Sequence, residues 1–275
     1  MDQLPAIRLS GRVLPAIVLV QALALFVRAY LRLHLQRLGF EPSQANDLAY
    51  LVVPPVLLLM LLPVFRNYGH FLMGLLRRSQ LKLRILLTAI LIGLLMRIIW
   101  WCQLVATISF GFAQGSETNA AAGPMFAFSC PTWPVIGIGF LVMAILVPVT
   151  EEILHRGLIQ SAFAHKGRSI AVLLSTLIFT AFHTPSGFVF VMGGVLGWQF
   201  WNSRTLWTTI VTHSTYNGLV QLDWRCLHGS WNPGAEQLPA LLPGLWAGAI
   251  LITSSITVLW LLSAQKAGAP RAPRP

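Results

Sequence analysis

Charge is what this chain lacks. Asp, Glu, Lys and Arg make up 10% of its 275 residues, against about 25% in an ordinary soluble domain. That is too little to cover a water-facing surface, so a soluble globular protein is excluded. The ten-residue alternating segments of a membrane β-barrel are also missing. The 3 cysteines, Cys102, Cys130 and Cys226, show no CxxC spacing, which leaves no thiolate metal framework. There is no internal repeat and no HExxH motif. Cys130 and Cys226 both fall in loops on one expected side of the membrane, where a disulfide is one open reading.

What is present is apolar sequence, 56% of the chain. It is arranged in runs that approach or exceed the ~20 residues needed to cross a hydrocarbon core of ~30 Å as helix. The runs predict about eight transmembrane helices, near 13–30, 48–64, 84–110, 134–164, 169–184, 187–203, 205–222 and 240–263. The expected fold is therefore all-α, a polytopic membrane helix bundle. The first run follows Arg8 and Arg12 as a signal peptide would. Ala22-Leu23-Ala24 lies inside the run, with no polar segment before it, so an uncleaved helix is expected. Polar loops are expected at 111–133 and 223–239, with a disordered tail AGAPRAPRP. The chain then divides into 1–133, without a recognisable motif, a polar-bearing core at 134–222, and a closing segment at 223–275.

The formal charge of +11 reads as a topology signal and not as a nucleic-acid surface. Arg8, Arg12, Arg66, Arg77, Arg78, Lys82, Arg84, Lys166, Arg168, Arg204, Lys266, Arg271 and Arg274 all fall on one side of eight crossings. Basic loops stay inside, so both termini are expected in the cytoplasm. Arg28, Arg32, Arg37 and Arg225 fall on the other side and break the rule. Tryptophans such as Trp100, Trp133, Trp198 and Trp207 cluster near span ends, as an interfacial belt does.

A few ionisable groups remain inside the apolar runs: Arg97, Glu151, Glu152, His155, Arg156, His183 and His213. Such groups cost a few kcal/mol each at the membrane centre and usually face the bundle interior. Spans four and five form a hairpin turning near Gly167. Glu151 and His183 each lie sixteen residues from that glycine, ~24 Å along their helices at ~1.5 Å per residue, which places them at one depth. Glu152 and Arg156 have the i, i+4 spacing of a helical ion pair. Glu151 is about 100° away around the helix and points elsewhere, as a general base acting on water must. His213 and Asn217, also four apart, could aim two donors at one oxyanion. Pro148 is expected to kink the helix beside the glutamates. His155 shares the face of Glu151 and is read as a supporting residue. Each residue also has a plain structural reading: a buried ion pair for Glu152–Arg156, an interfacial His183, an interhelical bond for Asn217, snorkelling or pairing with an acid for Arg97.

Glu151-Glu152-Ile-Leu-His-Arg156 matches EExxxR, Phe179-Thr-Ala-Phe-His183 matches FxxxH, and His213-Ser-Thr-Tyr-Asn217 matches HxxxN. In this order on successive apolar helices, residues 134–222 resemble the CPBP family of CAAX proteases and bacteriocin-processing intramembrane proteases. Between the last two motifs, FVFVMGGVLGWQF resembles the family's looser apolar element, with Gly193 and Gly197 suited to close helix contact. The resemblance implies a glutamic-type intramembrane protease with its site between helices of the C-terminal half. Glu151 would activate water with help from His183, Glu152 and Arg156 would shape the site, and His213 and Asn217 would hold the oxyanion. The implied partners are a membrane-anchored or lipidated peptide or protein substrate and the lipid bilayer. No cofactor is expected. Glu, His and His could ligate zinc, yet without HExxH the metal-free site is favoured. The length and short loops suggest a bacterial inner membrane. Two other readings stand beside this one: a non-catalytic immunity or scaffold protein of the same fold, which would tolerate loss of Glu151, and a proton or ion transporter relaying through buried Glu and His.

Overall fold

Backbone polar groups inside hydrocarbon must be satisfied within the segment itself, and the apolar runs accordingly fold as helices. The computed structural model describes residues 7, 9, 12–40, 42–77, 82–113, 133–183, 187–221 and 244–267, and no strand occurs among them. Helix α1 is Val13–Arg37, α2 is Pro42–Met60, α3 is Leu62–Leu75 and α4 is Leu83–Ala113. Helix α5 runs over 133–160. It is α-helical at Trp133–Gly139 and Val147–Glu152, and π-helical at Phe140–Leu146 and Ile153–Gln160. A 3₁₀ turn at Ala164–Lys166 leads into α6, Arg168–Ala181, followed by α7, Gly187–Ser203, α8, Leu206–Gln221, and α9, Gly244–Ala267. The all-α expectation holds for the described residues.

Four helical segments are long and apolar enough to cross a membrane: Val13–Arg37, Leu83–Gln103, Ile136–Gln160 and Trp246–Ala264. A fifth is counted if α2 and α3 are taken as one span bent by 81°. The remaining three runs expected to cross fold as the shorter helices α6, α7 and α8. Outward-facing side chains are large and apolar, among them Leu19, Phe26, Leu87, Trp246 and Leu259, each more than half exposed. Apolar surface on this scale belongs in lipid, and the protein is an integral membrane protein.

One local expectation is corrected. The basic loop drawn between the second and third spans is helical as far as Leu75. Pro63 ends the run of α2 and starts α3, since proline fits a first helical turn and breaks an interior one. Leu72 and Leu75 on α3 are buried, which draws this segment onto the bundle. Pro148 lies in the first turn of the short α-helical stretch Val147–Glu152, which lies between the two π-helical stretches. Such wide turns commonly occur at functional sites.

Buried apolar clusters hold the helices. Ile17 and Ala24 of α1 pack with Val53 and Leu57 of α2 and with Leu154, Leu158 and Ile159 of α5. Ile92, Met96 and Ile99 of α4 meet Met192 and Leu196 of α7 and Val258 and Leu261 of α9. Leu75 of α3 joins Phe200, Leu206 and Ile210. Polar bonds fasten the helix ends. Thr205 Oγ1 donates to Leu75 O at 3.0 Å, Trp207 Nε1 to Leu76 O at 2.9 Å, and Asn202 Nδ2 to Leu262 O at 2.7 Å. The turn between α5 and α6 falls at Gly167, whose φ of +91° is a conformation that glycine adopts without a Cβ penalty. Cys130 and Cys226 lie outside the described residues.

Candidate active site

The hairpin of α5 and α6 brings Glu151 and His183 together as equal distances from Gly167 require. Glu151 Oε1 lies 3.6 Å from His183 Nε2, and Glu151 Oε2 lies 3.8 Å from His213 Nε2 on α8. His183 sits just past the end of α6. Its Nδ1 donates to Phe179 O at 2.7 Å, so Nε2 is the nitrogen turned toward the carboxylate. Glu151 and His183 keep 19% and 26% of their side-chain surface exposed, whereas Glu152 and Arg156 keep none. The adjacent glutamates are thus divided as their angular offset predicts, one facing a cleft and one enclosed.

Glu152 is held from two sides. Arg156 Nη1 approaches its Oε1 at 3.3 Å, and His213 Nδ1 donates to the same oxygen at 2.9 Å. The contact with His213 joins the EExxxR and HxxxN motifs directly, and motif spacing alone does not reveal it. Arg156 Nη2 also donates to Gly193 O at 3.0 Å, and its guanidinium lies over the Phe179 ring at 4.7 Å. Four residues further on along both helices, the same pattern recurs: Gln160 Nε2 donates to Gly197 O at 2.8 Å. Both glycines are close to side chains of α6. A Cβ on Gly193 would come within 3.1 Å of Thr176 Cγ2, and one on Gly197 within 3.1 Å of Val172 Cγ1. The two glycines therefore let α7 approach α6 and expose carbonyls to the polar side chains of α5.

Phe179 is the ring on which the site is stacked. Its centroid lies 4.2 Å from that of His183, 5.2 Å from His155 and 6.0 Å from His213. Asn217 is one turn from His213, but its Nδ2 donates to Met143 O at 2.8 Å. Met143 belongs to the π-helical stretch of α5, where the wider turn offers its carbonyl sideways. One amide hydrogen of Asn217 is therefore engaged in holding α8 to α5, and the second is its remaining donor. Arg97 lies over Trp100 at 4.6 Å, apart from this cluster. Among the described residues, no group of three or more His, Cys, Asp or Glu side chains is arranged to hold a metal ion.

The enclosed space of the cleft beside Glu151 is small, about 40 Å³, enough for water-sized groups, and it opens outward. One wall is α5 and the end of α6, with Thr150, Glu151, His155 and His183. The other wall is Gln21, Ala24 and Leu25 of α1 with Tyr50, Val53 and Leu57 of α2. The N-terminal helices, which carry no motif, thus form half of the cleft. The sequence signal for Gln21 is slight: one uncharged polar residue inside an otherwise apolar run. His155 is buried against Phe179 and approached by Gln21 Nε2 at 3.4 Å.

In comparison with known proteins, residues 133–219 match the family described as type II CAAX prenyl endopeptidase Rce1-like. No curated protein and no solved structure matches the chain.

Proposed function

We propose, for a chain whose residues 133–219 belong to the Rce1-like family, that the protein is an intramembrane endopeptidase using Glu151 as its base. The observation that carries this reading is the 3.6 Å separation of Glu151 Oε1 and His183 Nε2 at the edge of an apolar cleft. The two atoms stand just outside direct hydrogen-bond distance, a spacing that one water bridges. In this mechanism Glu151 takes a proton from that water while the hydroxide oxygen bonds to the substrate carbonyl carbon. His183 orients the water. The negative charge passes to the carbonyl oxygen, and the C–N bond breaks as the proton held by Glu151 is delivered to the leaving amine.

His213 and Asn217 are the donors assigned to the oxyanion. With Nδ1 bound to the Glu152 carboxylate, His213 turns Nε2 toward Glu151 and the cleft, and this is the nitrogen assigned to the oxyanion. Glu152, itself paired with Arg156, fixes the orientation of that ring. Asn217 contributes its second amide hydrogen. The substrate is a membrane-anchored or lipidated peptide or protein that reaches the cleft laterally, between α1–α2 and α5–α6. The basic residues that fall on one side of the expected crossings argue for cytoplasmic termini, and the short loops for a bacterial plasma membrane. A metal-free reaction is the favoured reading, because HExxH is absent and Glu152, taken up by Arg156 and His213, is withdrawn from the possible ligands.

The test is the Glu151→Gln variant, which keeps shape and removes the base. General bases contribute about 10²- to 10⁴-fold, so cleavage of a membrane-peptide reporter should fall at least that far while the unfolding temperature holds. Retained turnover in a folded Glu151→Gln protein refutes the assignment. Mass spectrometry of peptides that accumulate in cells carrying this variant identifies the substrate.

A further inference from the structure

Gln21 and His155 are 5% and 2% exposed, and both line the cleft that contains Glu151. Neither is needed to explain the chemistry at Glu151. They lie on helices far apart in sequence, and their only hydrogen bond among the described residues is the long one to each other, Gln21 Nε2 to His155 Nε2 at 3.4 Å. Gln21 Oε1 and His155 Nδ1 are both buried without a hydrogen-bond partner, and so is Glu151 Oε2 in the same cleft. Leaving one buried polar atom unsatisfied costs about 1–3 kcal/mol. Three in one cleft, on two opposing walls, indicate that their partners arrive with whatever fills it.

The chemistry of the pair narrows what that is. A carboxamide nitrogen can only donate, so His155 Nε2 accepts and Nδ1 carries the ring proton. The pair then offers one acceptor, Gln21 Oε1, and two donors, His155 Nδ1–H and the second hydrogen of Gln21 Nε2. With the amide turned over, Gln21 Nε2 donates and His155 Nδ1 accepts. Either arrangement meets both halves of one peptide group, which has one C=O and one N–H. His155 is also one helical turn after Glu151, so a backbone held by the pair runs past the base.

We propose that Gln21 and His155 bind a main-chain peptide group of the substrate close to the scissile bond, His155 Nδ1–H donating to its carbonyl and Gln21 Oε1 accepting from its N–H. The proposal deepens the peptidase reading and rests on it. It places backbone recognition partly on α1, outside the segment that carries the motifs. Recognition of this kind is blind to side chains, as an enzyme with varied substrates requires.

The test uses the full chain in lipid nanodiscs and a set of S-farnesylated fluorescent peptides in which each backbone N–H in turn is replaced by N-methyl. Binding is read by anisotropy on the Glu151→Gln protein, so turnover is not needed. One methylated position should weaken binding about tenfold, the scale of a single buried hydrogen bond. The same methylation should have no further effect once Gln21→Ala is added. In the active protein, Gln21→Ala should raise KM about tenfold and change kcat far less. A merely structural role would lower affinity for every peptide alike and leave the methylation pattern intact. That result, a water-only role giving no methylation-sensitive position, or the absence of any peptide binding overturns the proposal. Peptides that bind with the expected pattern but are not cleaved by the protein with Glu151 would sink the peptidase reading and leave the backbone clamp standing.

Discussion

Gly93 lies in α4, which contains none of the three motifs, yet replacing it with alanine should impair catalysis. A Cβ there would meet the backbone oxygen of Thr212 at 2.6 Å and Thr215 Cβ at 2.8 Å. The carbonyl is main chain and cannot rotate aside. Helices α4 and α8 must part by about 0.8 Å for the 2.6 Å approach to relax to the 3.4 Å at which ordinary contact begins. The same interface carries the bond from Thr212 Oγ1 to Ala89 O at 2.9 Å, which that displacement stretches. Overpacking of this kind costs about 1–3 kcal/mol of stability. The larger effect is on the site, because Thr212 immediately precedes His213. A misplacement near 1 Å in catalytic geometry can cost about 10²-fold in rate, so Gly93→Ala should lower kcat by about one to two orders of magnitude. The assay is cleavage of a fluorogenic membrane peptide in nanodiscs, with thermal unfolding recorded on the same samples. Gly194→Ala is the control, since a Cβ at that glycine meets nothing within 4 Å, and it should behave as the parent protein. If Gly93→Ala leaves both kcat and unfolding unchanged, α8 is not held by α4 as described and the placement of His213 is wrong.

Arg156→Met should destabilise the protein by about 3–5 kcal/mol, because it leaves the enclosed Glu152 without its cation; chemical unfolding in detergent measures this. Arg156→Lys should recover part of the loss, as one ammonium cannot reach Glu152 and Gly193 O with the same fork. Asn217→Ala should lower kcat more than it raises KM and also loosen α8 from the Met143 carbonyl, so hydrogen exchange over 206–221 should quicken; unchanged kcat would remove Asn217 from the oxyanion site. Prolonged dialysis against 1,10-phenanthroline should leave cleavage intact, and activity lost to the chelator and restored by zinc would overturn the metal-free reading.

The hairpin was legible because it depends on counting alone. Sixteen residues on each side of Gly167 set Glu151 and His183 at one depth, whatever the side chains between them. The apolar runs likewise located every described helix except α3. That helix was hidden by its basic flanks, Arg66, Arg77 and Arg78, which look like a loop when charge is used as punctuation. The widened turns of α5 were not legible either. Periodicity reading assumes 3.6 residues per turn, and π-helix has no compositional mark of its own. An interhelical bond from Asn217 is legible as one structural reading, but its acceptor, Met143 O, is not. Gln21 escaped notice because attention to ionisable groups passes over a neutral amide, although an amide buried in lipid-facing sequence demands a partner almost as strongly.

The π-helical stretch Phe140–Leu146 also bears on how this protein can change over evolutionary time. A π turn takes up one more residue per hydrogen-bonded loop than an α turn, so the helix stores slack upstream of its glutamates. Losing a single residue there would let the stretch tighten into ordinary helix without breaking it. The wide turns take up the missing residue, so Glu151 beyond them keeps its face toward the cleft. A single deletion in this window is therefore better tolerated than one in an ordinary α-helical stretch, which would turn everything beyond it by about 100°.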